Sequence, residues 1–235
     1  MSTTNKLLVI TGASSGIGLA CAEAFLADGY RVVNLSRRPC PNTSVHSIAC
    51  DLAQPDFDTA LTSELDTQLT DASHISVVHN ASLLANDKIG ETPSAELRHI
   101  YEINLIAPNT LNNLLIKHMG TGSSILYIGS TLSEKAVPNS FSYVTSKHAT
   151  VGMMRSTCQD LAGGTIHTAC ICPGFTDTQM LREHVPADAM DFVAGMSAFK
   201  RLIEPDEIAA TVLFAANNPV INGAVLHANL GQVEA

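Results

Sequence analysis

The chain has no tryptophan, and only 15% of its 235 residues are charged. Lys and Arg total 13 against 22 Asp and Glu, a formal net charge of -9. So small a basic component argues against a nucleic-acid-binding face and against a polybasic membrane patch. No apolar run approaches the ~20 residues of a membrane span. Residues 1–5 are polar and show no signal peptide, so a cytoplasmic protein that binds no membrane is expected. Repeats, low-complexity tracts and linker-like stretches are missing too. What remains is 46% hydrophobic. That composition suits one large domain, residues 1–235, with a sheet covered on both faces.

Cysteine is scattered, with six residues mostly inside apolar segments. They are taken as buried free thiols in a reducing compartment. Cys170 and Cys172 lie on one expected strand, and the alternation there is taken to turn them to opposite faces. The nine His show no zinc-ligand spacing with Cys, so no metal site is expected.

Strand patterns at 6–11, 31–35, 45–49, 75–79, 124–128, 165–172 and 224–228 alternate with helical patterns. The helices are expected at 16–28, 56–70, 94–118, 143–161 and 205–217. Pro108 interrupts the third of these, and Pro205 opens the last in the favoured first-turn position. Strands separated by helices require right-handed crossovers. They predict an α/β fold, a doubly wound Rossmann-like parallel sheet in a single domain.

Tyr143 and Lys147 are four residues apart on an expected helix, so phenol and ammonium project from one face. A nearby cation favours phenolate, so Lys147 is expected to lower the Tyr143 pKa, with a second positive charge such as an oxidised cofactor ring needed to bring it near neutrality. The pair alone is a weak motif. It gains weight from Ser130, which closes the apolar strand before it, and from a glycine loop near the N-terminus. Thr11 to Gly18 runs from strand into helix, with Gly12 for a tight turn and Gly16 and Gly18 for close approach to a pyrophosphate. Ser14, Ser15 and Ile17 complete this cofactor cradle.

An acidic residue at the end of the second strand would hold the ribose of NAD. This chain has Ser36, Arg37 and Arg38 there instead. Arg37 suits a 2′-phosphate, so NADP(H) is the preferred cofactor and NAD(H) the alternative. Asp51 and Leu52, after the third strand, are assigned to the adenine.

Together these residues resemble the short-chain dehydrogenase/reductase family, in its short single-domain branch. The likeness spans the whole chain and adds Asn80, Ala81, Asn104, Pro173, Gly174, Thr176 and Thr178 to the residues above. It implies a seven-stranded sheet, homodimers or homotetramers, and a catalytic tetrad of Asn104, Ser130, Tyr143 and Lys147. In the reductive direction Tyr143 would protonate the carbonyl oxygen, Ser130 would hold it, and Lys147 would bind the nicotinamide ribose. Asn104 would hold a water linking Lys147 to solvent. Asn80, Ala81, Pro173, Gly174, Thr176 and Thr178 would meet the cofactor, with His79 the only histidine near it. Ser82 stands where the family has glycine, and would either crowd the nicotinamide or supply an extra hydroxyl beside it. The segment 175–204, rich in Met and Phe, would form a substrate-binding lid.

The expected activity is therefore NADPH-dependent reduction of a small, mostly apolar ketone or aldehyde. Alternatives are an alcohol dehydrogenase, a 3-oxoacyl thioester reductase, or an NADP(H)-binding regulator that keeps the fold.

Overall fold

Leu7 and Val9 pack to one side of the first strand, Leu8 and Ile10 to the other, and all four are buried. A strand buried on both faces belongs inside a parallel sheet. The computed structural model contains that sheet; it describes residues 5–232, and residues 1–4 and 233–235 of the expected domain lie outside the described residues.

The elements follow in order: β1 Lys6–Thr11, α1 Gly16–Ala27, β2 Arg31–Ser36, β3 His46–Ala49, α2 Phe57–Leu69 and β4 His74–His79. Then come α3 Ser94–Tyr101, α4 Ala107–Leu115, β5 Ser124–Ile128, α5 Phe141–Asp160 and β6 His167–Pro173. The chain continues through α6 Gln179–His184, α7 Met190–Gly195, α8 Pro205–Asn217 and β7 Ala224–Ala228. The seven strands lie in the order β3-β2-β1-β4-β5-β6-β7, all parallel. From β1 the chain first builds one half of the sheet, then crosses back to pair β4 against β1. That reversal opens a crevice at the carboxyl ends of β1 and β4, where doubly wound sheets bind ligands.

The helices α1 and α8 cover one face, with Phe25, Ile208 and Val212 against Leu8, Ile10 and Leu126. On the other face α2 and α4 pack on Val9, Val33 and Val77 through Leu61, Leu65 and Leu111. Val151 and Met154 of α5 cover Ile125, Tyr127, Cys170 and Cys172 on that same face.

This last cluster corrects the cysteine expectation. Side chains alternate along a strand with a period of two, so residues 170 and 172 share a face. Their sulfurs are 3.9 Å apart. All six cysteines are thiols, five of them buried and Cys158 half-buried.

The long helical pattern is also modified. The expected break at Pro108 falls earlier, as a π-helical turn Glu102–Ile106 between α3 and α4. Pro108 has no N–H to give to residue 104, and its ring crowds that carbonyl, so the ladder widens there. The π turn directs Asn104 inward, 6% exposed. The segment 175–204 leaves β6 and returns through a neck, where Thr176 bridges Ile203 and Ile203 N–H donates to the Phe175 carbonyl.

Candidate active site

The cradle at the crevice is built from backbone. Gly12 has φ +74 and Gly16 φ +55, the left-handed region that a side chain strains. A Cβ on Gly18 would stand 2.3 Å from the Gly12 carbonyl oxygen and 2.5 Å from Asn80 Nδ2, so only glycine lets the helix come this close. Ser15 is the N-cap of α1 with no side-chain cap bond, leaving first-turn amides for an anion. These features fit a dinucleotide pyrophosphate.

Side chains from neighbouring strands hold the cradle. Thr11 Oγ1 accepts from the Asn80 and Ala81 amides at 3.0 and 2.9 Å. Asn80 Nδ2 donates to the Thr11 and Gly12 carbonyls at 3.0 and 3.2 Å. Asn34, wholly buried, accepts the Ala13 amide at 2.8 Å. Sequence reasoning missed Asn34, although a polar residue inside an apolar strand was a signal.

Ser130 follows the end of β5 and caps a short turn, accepting the Leu132 amide at 3.1 Å. Its hydroxyl also bears on the Tyr143 phenol, where it favours the ionised form. Lys147 lies one turn along α5 from Tyr143, with its ammonium 5.4 Å from the centre of the phenol ring. That ammonium donates to the Ile128 carbonyl at 2.8 Å. Asn104 Oδ1 accepts the Leu83 amide at 2.8 Å, and its Nδ2 donates to the Leu83 carbonyl at 3.0 Å and Ser146 Oγ at 2.9 Å. The four residues expected as a tetrad are thus gathered, with Asn104 reaching α5 through Ser146.

The electrostatics reverse one expectation. Burial pushes the Tyr143 phenol up to about 12; the Ser130 hydroxyl opposes the rise and Cys172 adds to it. Burial pushes Lys147 down to about 8, and Cys170 and Cys172 oppose that fall. In the chain without its cofactor, desolvation of the phenol therefore decides the direction of the Tyr143 shift.

Asp87 is a second residue that sequence reasoning missed. Its carboxylate accepts the Ser142 amide at 3.0 Å and the Thr92 hydroxyl at 3.1 Å, fixing the first turn of α5. A cleft of about 750 Å³ beside it is lined by Asp87, Lys88, Glu91 and Glu96.

The remaining candidates are placed as follows. Thr178 caps α6, accepting the Leu181 amide at 3.3 Å, and its methyl group faces Gly16. Thr176 turns its hydroxyl to the Gly174 carbonyl at 3.1 Å, and Pro173 ends β6. Ser14 and Ile17 are half-buried within the loop. Arg37 and Arg38 are exposed, and among the described residues neither is in an ion pair. Ser36 Oγ donates to the Arg38 carbonyl. Asp51 accepts the Ala53 amide at 3.1 Å. The Leu52 side chain packs in the core, so no side-chain contact to adenine is open to it. The Ser82 hydroxyl is enclosed and has no partner. His79 corrects another expectation: its ring turns from the cradle toward α4, meeting Asn112 at 2.8 Å and lying against Tyr127.

Comparison with known proteins agrees with this geometry. The family model described as Enoyl-(Acyl carrier protein) reductase matches residues 12–232. The chain is 27% identical over 231 residues to the 3-oxoacyl-[acyl-carrier-protein] reductase MabA of Mycobacterium tuberculosis, covering 94% of this chain and 90% of that one. It is 26% identical over 231 residues to carbonyl reductase family member 4 of Xenopus laevis, covering 94% and 95%. The aldohexose dehydrogenase of Thermoplasma acidophilum superposes with TM-score 0.88 at 28% identity, covering 97% of this chain and 93% of that one. The chain belongs to the short-chain dehydrogenase/reductase family, oxidoreductases acting on CH–OH and C=O groups.

Proposed function

We propose that the protein is an NADPH-dependent carbonyl reductase acting on a small, mostly apolar ketone or aldehyde. One observation carries the reading: Ser130, Tyr143 and Lys147 converge at the carboxyl end of the sheet, beside a glycine cradle that excludes side chains. The nicotinamide dinucleotide, when bound, supplies the hydride. The chain's own residues do the rest. Tyr143, its proton held firmly by burial, gives that proton to the carbonyl oxygen. Ser130 donates a hydrogen bond to the same oxygen and steadies the charge that develops on it. Lys147 orients the phenol and holds the ribose hydroxyls. Asn104 fixes α5 beside the loop after β4 through Ser146 and Leu83.

Arg37 and Arg38 hold the 2′-phosphate, two unpaired guanidinium groups where a carboxylate would repel it. The 175–204 segment serves as the lid. His184 Nε2 meets the Leu84 carbonyl at 3.2 Å, so α6 reaches across to the loop after β4. Phe192 and Phe199 on this segment are 73% and 69% exposed, apolar surface available to a substrate.

The test is NADPH oxidation with hydrophobic ketones and aldehydes, a 3-oxoacyl thioester, and sugars. Turnover greatest with the hydrophobic carbonyls is expected. A clear preference for the thioester or a sugar overturns the substrate assignment. Tight NADPH binding without turnover of any carbonyl marks a nucleotide-binding regulator instead.

A further inference from the structure

The short helix α6 runs from the glycine cradle to the loop after β4. Thr178, its N-cap, sets its methyl group against Gly16, where an added Cβ would meet it at 3.2 Å. At the far end His184 Nε2 meets the Leu84 carbonyl at 3.2 Å. That loop begins with Asn80 and Ala81, which brace the cradle. Arg182 lies four residues past Thr178, and its amide donates to the Thr178 carbonyl at 3.1 Å. One helical turn apart, the two share the face that Thr178 turns to Gly16.

A cleft of about 320 Å³ opens there, lined by Gly16, Thr178 and Arg182. Arg182 is the only cation among the described residues that line it, and Glu23, Asp177 and Asp206 are the anions. Its guanidinium is held in a fixed plane by Asp177: Nε donates to Oδ1 at 2.8 Å and Nη2 to Oδ2 at 2.7 Å. Asp177 is anchored in turn, its amide donating to the Ile203 carbonyl at 2.8 Å in the neck of the segment. A guanidinium carries more donors than one carboxylate can use. Among the described residues no second acceptor takes the remainder, and the Arg182 side chain is 61% exposed. One edge of an aimed cation is therefore free.

We propose that Arg182 is the cation of the diphosphate site: its free edge takes a diphosphate oxygen, Asp177 aims it, and the bound cofactor thereby fastens α6 across the cleft. The proposal rests on the reading of the glycine loop as a dinucleotide cradle. Residues 11–18 bring no charge of their own to that cradle. A diphosphate beside three carboxylates is repelled unless a cation stands with them, and Arg182 is the one the cleft holds. A planar guanidinium also matches the oxygens of a phosphate. The role differs from that of Arg37 and Arg38, assigned to the 2′-phosphate, because the diphosphate is common to NADPH and NADH. Arg182 would thus tie the lid to whichever dinucleotide is bound.

Calorimetric titration of the whole chain with NADPH, NADH and ADP-ribose tests this without turnover. All three carry the diphosphate, and ADP-ribose lacks both the nicotinamide and the 2′-phosphate. Arg182→Ala should weaken all three alike, by about tenfold at low salt, as expected for one lost charge-assisted contact. The gap should narrow as salt is raised, because the missing attraction is one that salt screens. Asp177→Asn separates ligand binding from mere bracing of α6. It breaks the same ion pair but removes a carboxylate from the cleft, so the three ligands should bind at least as tightly as to the wild type. Unchanged affinity in Arg182→Ala overturns the proposal, and so does a loss confined to NADPH. A loss in Asp177→Asn equal to that in Arg182→Ala, or one that persists at high salt, also overturns it and makes the pair a strut of the fold. Failure of the reductase reading looks different: the three ligands bind with the stated dependence on Arg182, and no carbonyl is turned over.

Discussion

At the scale of the residue, selectivity and chemistry separate cleanly. Arg37→Ala should weaken NADPH binding roughly tenfold to a hundredfold, the loss of one charge-assisted pair of about 1.5–3 kcal/mol, while NADH binding changes little. Fluorescence titration with both dinucleotides checks this, and an unchanged preference removes Arg37 from the role. Tyr143→Phe should abolish carbonyl reduction and leave NADPH affinity largely intact. Lys147→Ala should damage both, since it is assigned to the phenol and to the ribose. Equal, mild effects from the two would refute the division of labour. Tyr143 and Lys147 were legible in the sequence because a helical spacing of four fixes a shared face regardless of surroundings, whereas Ser130 and Asn104 joined them through the family resemblance. The protonation state of Tyr143 was not legible, because desolvation depends on what the fold lays over the ring. The shared face of Cys170 and Cys172 follows from the strand period of two, and Asn34 stands out as a polar residue inside an apolar strand.

Elements carry the residues into register, and two of their joints are open to test. Asp87 accepts an amide in the first turn of α5, the helix that bears Tyr143 and Lys147. Asp87→Ala should cost about 1–2 kcal/mol of stability, the usual loss of a helix cap, and lower kcat as the phenol loses its fixed approach. Denaturant unfolding and steady-state kinetics report the two losses separately. A stable variant with unchanged kcat would show that the cap is not what positions α5.

The second joint lies between β4, α4, β5 and α5. Thr157 donates to the Met153 carbonyl, so Tyr127 donates to Thr157, Asn112 Nδ2 donates to Tyr127, and His79 Nε2 donates to Asn112 Oδ1. This order of donors leaves His79 Nδ1 buried and without a partner. Burial lowers the His79 pKa from 6.5 to about 4, with the Asn112 bond opposing the shift. Between those values the unfolded chain binds a proton that the folded chain refuses, so stability falls as pH falls from 6.5 toward 4. The contribution lost is about 3 kcal/mol. Urea unfolding across that range should show a shallower dependence on pH in His79→Asn. An unaltered slope would place the acid sensitivity elsewhere. None of this network was legible in the sequence, where His79 stood beside the expected cofactor loop and its ring direction was undetermined.

At the scale of the whole molecule, the sheet ends in β7, whose residues are only partly covered. Phe214 on α8 and Val220 beyond it are 52% and 88% exposed. An edge strand flanked by such side chains is a surface to be paired. We expect a homodimer or homotetramer that uses α8 and β7, and light scattering at micromolar concentration should report it. A monomer there would refute the expectation, and Phe214→Glu should split the oligomer if it forms. The alternation of strands and helices made the sheet legible before any coordinates, since periodicity is local. The π turn before Pro108 and the course of the 175–204 segment were not, because both depend on contacts between distant parts of the chain.

The strand order has a consequence for how the molecule comes into being. β1 must wait for a partner that begins only at His74, and β6 for one that begins at Ala224. A nascent chain therefore carries unsatisfied strand edges for most of its synthesis, and its contacts are dominated by long separations in sequence, a topology that folds slowly. The glycine cradle and the Tyr143 helix are made on opposite sides of that wait. Neither half can rehearse the chemistry alone, so cofactor binding and turnover should return together, late and in one step, when the denatured chain is allowed to refold.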